Sequence, residues 1–191
     1  MLQNFKTDIE KSIETLSNGG IILYPTDTVW GLGCDATNEK AVAKIYALKN
    51  RDEQKSMIVL VADENEILHY SEQNTLTIFD YIKGIHKPVT VIYRQAKNLA
   101  KNLINIDGSI GIRVVKDPFC KELITQFGKP IVSTSSNVSG YPPPSIFDDV
   151  DVVIKNGVDY IVQHRQGDLH SAAPSTVLKI SEEGEIVILR K

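Results

Sequence analysis

The apolar residues of this chain fall in short runs. Ile21 to Tyr24, Met57 to Ala62, Val89 to Tyr93, Ile110 to Val114 and Ile131 to Thr134 are each bounded by turn or helix signals. Apolar runs this short and this bounded read as buried strands rather than helices. The segments between them have helical spacing. Ile9, Ile13 and Leu16 share one face of Asp8 to Asn18, with Thr7 or Asp8 as a cap and Gly19-Gly20 as a stop. Ala41, Ile45 and Leu48 turn inward from a helix over about Glu39 to Lys49, and residues 64 to 83 read as helix broken near Ser71. Asp117-Pro118 opens a further helix, a carboxylate cap followed by Pro at the first helical position, and Gly128 ends it. Val152 to Ile154 and Ile161-Val162 are further strand candidates. Thr176 to Ile180 and Glu185 to Leu189 form a hairpin around residues 181 to 184. Interleaved strands and helices with short turns predict a single α/β domain over residues 1–191, built on a mixed sheet.

Composition narrows the classes. A chain of 191 residues supports one domain with a real core. No window approaches the roughly 18 apolar residues of a membrane span, and the polar, amphipathic N-terminus has no signal-peptide core. Cys34 and Cys120 form no metal-ligand spacing; a lone disulfide between them has no support, and a reduced, cytoplasmic protein is the simplest reading. The net charge of −3 argues against holding nucleic acid by bulk electrostatics, although a local basic patch stays open.

Several catalytic patterns are absent. There is no His-Glu-x-x-His, no Cys-x-x-Cys, no Gly-x-Ser-x-Gly and no P-loop, and His69, His86, His164 and His170 are scattered. Gly31-Leu32-Gly33-Cys34-Asp35-Ala36 nearly matches a dinucleotide fingerprint. In that fingerprint the first Gly follows the strand directly; here Pro25 to Trp30 intervenes, so the stretch reads as glycines in a tight loop.

Three features carry candidate chemistry. Lys49 and Arg51 lie at a helix C-terminus, with Lys55 just beyond at a strand entrance. Such cations either complement the helix dipole or clamp a polyphosphate. Arg113 interrupts an apolar strand, as a structural ion pair or as a fork for a small carboxylate. The stretch from Pro130 to Pro144 is uncharged in a chain that is 24% charged, and its Ser133 to Asn137 segment is all hydroxyl and amide. These groups either satisfy their own turn or bind a nucleotide or amino acid.

The order of these pieces carries a resemblance. Tyr24-Pro25-Thr26-Asp27-Thr28-Val29-Trp30-Gly31-Leu32-Gly33-Cys34-Asp35-Ala36 is followed by Lys49-x-Arg51, Pro88-Val89-Thr90, Gly111-Ile112-Arg113-Val114, Ser135-Ser136-Asn137-Val138-Ser139-Gly140, Ser175-Thr176-Val177 and Arg190. From about Gly19 to Arg190 the chain closely resembles the YrdC family of L-threonylcarbamoyladenylate synthases, in its short single-domain form. The resemblance implies an open, twisted α/β sheet with flanking helices and a concave cleft. It implies a nucleotidyltransferase that makes threonylcarbamoyl-AMP and pyrophosphate from L-threonine, bicarbonate or CO2, and ATP. The adenylate would serve a downstream tRNA threonylcarbamoyl-transferase complex. Mg²⁺ would travel with the ATP phosphates, with no protein-built metal site. By resemblance, Lys49 and Arg51 carry the catalysis and, with Lys55, hold phosphates. Ser109, Ser135, Asn137 and Arg190 contact the nucleotide. Thr28, Arg113, Ser133 and Ser175 surround threonine, with Arg113 on its carboxylate. The rival reading is a non-catalytic RNA-binding module for ribosome or tRNA processing, with weak RNA binding.

Overall fold

The computed structural model describes residues 5–73, 78, 81–82, 84–170, 173–181 and 185–191. Helix α1 spans Lys6–Ser17, strand β1 Ile22–Tyr24, β2 Gly31–Gly33, α2 Glu39–Lys49 and β3 Ile58–Val61. A 3-10 turn at Glu64–Glu66 leads into the one-turn helix α3, Ile67–Tyr70. There follow β4 Val89–Tyr93, β5 Ile110–Val114, α4 Pro118–Phe127, β6 Ile131–Ser135, α5 Val152–Asn156, β7 Tyr160–Ile161, β8 Thr176–Ile180 and β9 Ile186–Arg190.

Local chemistry fixes most helix ends. The Asn38 side chain accepts from Lys40 N and Ala41 N at the start of α2, and Asn50 closes that helix in the left-handed region. Asp117 accepts from Cys120 N at 3.0 Å, Pro118 opens α4, and Gly128 ends it at φ 71°. Two expectations need correction. Helix α1 starts at Lys6 without a side-chain cap. Asp8 is buried and receives Tyr160 Oη at 2.5 Å, Gln163 N at 3.0 Å and His164 N at 2.8 Å. Residues 152 to 154 are helical, not extended: Asp151 caps Val153 N at 2.7 Å, and only Ile154 packs inward. The break near Ser71 is present, since Ser71 makes an isolated bridge to Ala96. Most of the helix expected after it lies outside the described residues.

The nine strands form one mixed sheet in the order β7-β1-β2-β6-β3-β5-β4-β8-β9. β2 corrects the reading of Gly31 to Gly33 as a loop. It pairs antiparallel with both β1 and β6. The two sheet faces bury separate cores. One packs Val59, Ile112 and Val132 against α2. The other packs Leu60 and Ile131 beneath α1 and α4. Cys34 lies in the first core and Cys120 in the second, so the sheet separates two free thiols and no disulfide joins them.

Side chains two apart on a strand share a face. Leu60 and Ile131 are covered by helices, yet Ile58 on β3 and Ser133 on β6 emerge from that cover and pair with each other. Arg113 on β5 sits beside Leu60. The same face is therefore a core at one end and an open floor at the other.

Candidate active site

The open floor is a cleft of about 410 Å³. Of the residues anticipated from sequence, Thr28, Arg51, Arg113, Ser133, Ser135, Ser175 and Arg190 line it. They come from the β1–β2 loop, the segment after α2, the ends of β5 and β6, and the β8–β9 hairpin.

Arg113 is 2% exposed. Its Nη2 lies 3.2 Å from Asp27 Oδ1, an ion-pair distance. The contact is off-axis: Arg113 Nε and Nη2 and both Asp27 oxygens make no aligned hydrogen bond. The charge is balanced while two donors of the fork stay free. A buried guanidinium edge whose donors make no hydrogen bond is costly, and it fits a planar anion such as a carboxylate.

The walls are uncharged hydrogen-bonding groups. Thr28 is held by the Thr26 hydroxyl, 2.9 Å from its own, and Thr26 Oγ1 also receives Thr28 N at 3.0 Å. Ser175 Oγ lies 2.8 Å from Thr90 Oγ1. Arg190 Nε donates to Ser175 O at 3.0 Å, so the last strand is fastened to the cleft rim.

The cations are arranged less simply. Arg51 lines the cleft, and its Nε and Nη2 donate to Lys55 O at 2.7 Å and Ser56 O at 3.1 Å. Lys55 contributes its carbonyl here, and its exposed side chain is not part of the lining. Lys49 lies behind the wall. The residue is 1% exposed, and its ammonium donates to the carbonyls of Ser135 and Asn137, the latter at 2.5 Å. Its own carbonyl receives Ser139 N at 2.8 Å. Burial, and then the charge of Arg51, push the Lys49 ammonium down to about 8.

Two further anticipated contacts lie away from the lining. Ser109 donates to Asp107 Oδ1 at 2.6 Å and is buried. Asn137 donates through Nδ2 to Tyr141 O at 2.7 Å and lines a neighbouring hollow, with its Oδ1 unpartnered. Conversely, the cleft contains Ser56 and Thr134, which sequence reasoning did not single out. Thr134 lies in the uncharged stretch that drew attention as a whole. Among the described residues no group of three or more His, Cys, Asp or Glu side chains is placed to hold a metal, and no helix is long and apolar enough to cross a membrane.

Comparison with known proteins assigns the family. The family model described as "Telomere recombination", covering Sua5, YciO and YrdC, matches residues 14–191. The threonylcarbamoyl-AMP synthase of Photobacterium profundum is 32% identical over 184 residues, 90% of this chain and 98% of that protein. That of Serratia proteamaculans is 38% identical over 144 residues, 72% of this chain and 75% of that protein. P. abyssi Sua5 complexed with L-threonine superposes with a TM-score of 0.85 at 22% identity, over 97% of this chain and 54% of that one. E. coli YciO gives 0.83 at 23%, over 97% and 89%. The structural likenesses establish the fold, and this chain spans about half of the Sua5 protein. The chain belongs to the Sua5/YciO/YrdC family.

Proposed function

We propose that this chain is a threonylcarbamoyl-AMP synthase, a nucleotidyltransferase that joins L-threonine, CO2 or bicarbonate, and ATP. The observation that carries this reading is Arg113, a buried fork balanced by Asp27 whose Nε and Nη2 make no hydrogen bond, at the floor of a cleft lined by Thr28, Ser133 and Ser175. A fork of that kind grips the threonine carboxylate in two parallel bonds. Thr28, Ser133 and Ser175 surround the rest of the amino acid. The threonine amine adds to CO2, giving a carbamate. A carbamate oxygen attacks the α-phosphorus of ATP, and the α–β bridging oxygen leaves with pyrophosphate. No protein nucleophile is required.

The chain supplies position and charge. Arg51 faces the phosphates, with Lys55 at the same loop. Ser135 and Asn137 orient the nucleotide, with Ser109 just before β5 and Arg190 closing from β9. Lys49 acts in this reading by fixing the backbone of Ser135 and Asn137, from which both substrates are positioned. Mg²⁺ carried by the ATP phosphates would neutralise their charge beside Arg51. Acting as a single cytoplasmic domain, the protein would pass its adenylate to a transferase that modifies tRNA.

The test is pyrophosphate release from Mg-ATP and bicarbonate, with and without L-threonine, and with serine as a control. Release that depends on threonine and bicarbonate is expected. A folded protein that binds ATP yet releases no pyrophosphate would overturn the reading and favour a binding module.

A further inference from the structure

Among the described residues, Asn50, Gln95, Asn98 and Arg165 have a positive φ without being glycine. Asn tolerates the left-handed region; Gln95 and Arg165 are not of that type. Arg165 sits at φ 67°. Its β-carbon crowds the backbone there, so the conformation persists only where the surroundings hold it. They hold it on both sides. His164 N donates to Asp8 Oδ2 at 2.8 Å, and the His164 ring stacks on Phe119 with centroids 5.6 Å apart. Asp168 N donates to Arg165 O at 3.0 Å.

The guanidinium that this turn presents joins three segments. Nη1 donates to Asp117 Oδ2 at 3.0 Å, at the start of α4, and to Thr26 O at 3.3 Å, in the β1–β2 loop. Nε lies 3.5 Å from Asp168 Oδ2 in its own loop. Asp117 is shared: Oδ1 caps α4 through Cys120 N, and Oδ2 holds Arg165.

Thr26 is the link to the cleft. Its carbonyl takes Arg165, while its hydroxyl takes Thr28 N at 3.0 Å and lies 2.9 Å from the Thr28 hydroxyl. Asp27, between the two threonines, balances Arg113. Arg165 itself is not part of the cleft lining. It reaches the loop from behind, where Arg165, Thr26 and Thr28 border a second, smaller hollow. Two carboxylates balance its charge, so its donors hold backbone rather than a ligand.

We propose that Arg165 is a positioning residue for the amino-acid site. Its guanidinium clamps Thr26 to the start of α4, and so fixes Thr28 at the cleft wall and Asp27 beneath Arg113. The effect on threonine rests on the function proposed above; the clamp does not.

Arg165→Gly tests it, because glycine keeps the turn at no steric cost while removing the clamp. The first readout is hydrogen exchange on the substrate-free chain. Amides of residues 26 to 29 should exchange about tenfold faster than in the wild type, with those of β6 unchanged. In pyrophosphate release the threonine KM should rise about tenfold while the ATP KM stays, the mark of lost amino-acid binding. Gln95→Gly relieves the same strain at a turn outside the cleft lining and should change neither readout. Asp117→Asn keeps a capping side chain and weakens the anchor; its effect on exchange at 26 to 29 should vanish once residue 165 is glycine. Unchanged exchange in Arg165→Gly overturns the proposal. So does an equal rise in both KM values, or additive effects of the two substitutions. A wild type without threonine-dependent release would remove the catalytic reading, and exchange would still decide the clamp.

Discussion

Arg113 and Asp27 face each other at 3.2 Å beneath the cleft, yet neither is aligned to hydrogen-bond the other. Asp27 therefore balances the charge of Arg113 without consuming its donors. Removing one partner of a buried pair leaves an uncompensated charge and costs about 3–5 kcal/mol. Asp27→Asn should lower the Tm by roughly 10 °C, on the scale expected for a domain of this size. Adding Arg113→Met to Asp27→Asn should recover most of that Tm while threonine-dependent turnover stays lost. Calorimetry on the single and double variants checks both halves. An unchanged Tm in Asp27→Asn would show that Arg113 does not depend on that carboxylate.

Lys49 should give stability and activity opposite pH dependences. Its folded pKa of about 8 lies below the ordinary 10.5. Below pH 8 the ammonium is charged in both states, and the fold bears the cost of burying it. Between about 8 and 10.5 the unfolded chain holds a proton that the folded chain has lost, so this group raises stability as pH rises. Cys34 and Cys120 pull the other way, because burial pushes their thiols up. Comparison with Lys49→Met isolates the lysine. The stability of wild type relative to that variant should rise above pH 8. Its advantage in pyrophosphate release should shrink over the same range, as charge-assisted bonds to Ser135 and Asn137 become neutral ones. Release measured on both proteins across pH 7 to 10 decides it; a constant advantage would remove Lys49 from that role.

Thr90 Oγ1, at 2.8 Å, is the nearer of two side-chain partners of the Ser175 hydroxyl; Arg190 Nη2 donates to it at 3.4 Å. Both residues are buried. Thr90→Val keeps the shape and removes this bond, worth about 0.5–1.5 kcal/mol, and leaves the Ser175 hydroxyl only the longer contact from Arg190 Nη2, at 3.4 Å. The threonine KM should rise several-fold with the ATP KM unchanged, and Thr90→Ser should restore it. Equal rises in both KM values would mark a merely structural role.

The legible parts of this molecule were those set by near neighbours. Asp117, Pro118 and Gly128 define α4 because caps act within one turn. Arg113 stood out because a charge inside Ile110–Val114 has to be explained. The parts that were not legible depend on distant residues. Lys49 reads in the sequence as a helix-end cation for the dipole or for a polyphosphate, but the carbonyls that take its ammonium lie 86 and 88 residues away. Asp8 looked like a cap, yet its partners are at 160 to 164. Val152 and Val153 are β-branched and suggested a strand, while the Asp151 cap decided for a helix.

Gly33 shows the same limit and supplies a further test. Gly31-Leu32-Gly33 has a single apolar side chain, so no alternation marks it as β2. Its conformation follows from a close approach. A Cβ on Gly33 would lie 2.6 Å from Tyr24 Cε1, 3.0 Å from Ile131 Cγ2 and 3.1 Å from Val132 O. The Tyr24 ring cannot retreat easily, since it is 1% exposed and its hydroxyl donates to Val132 O at 3.2 Å. Overpacking of this kind costs about 1–3 kcal/mol. Gly33→Ala should therefore lower the Tm by several degrees. It should also weaken turnover, because β2 carries Gly31 and pairs with the Ser135 end of β6. Gly167→Ala, where an added Cβ meets nothing within 4 Å, should leave both within error. Equal Tm values for the two variants would mean that β2 and Tyr24 separate at little cost and that the glycine is not what holds them together.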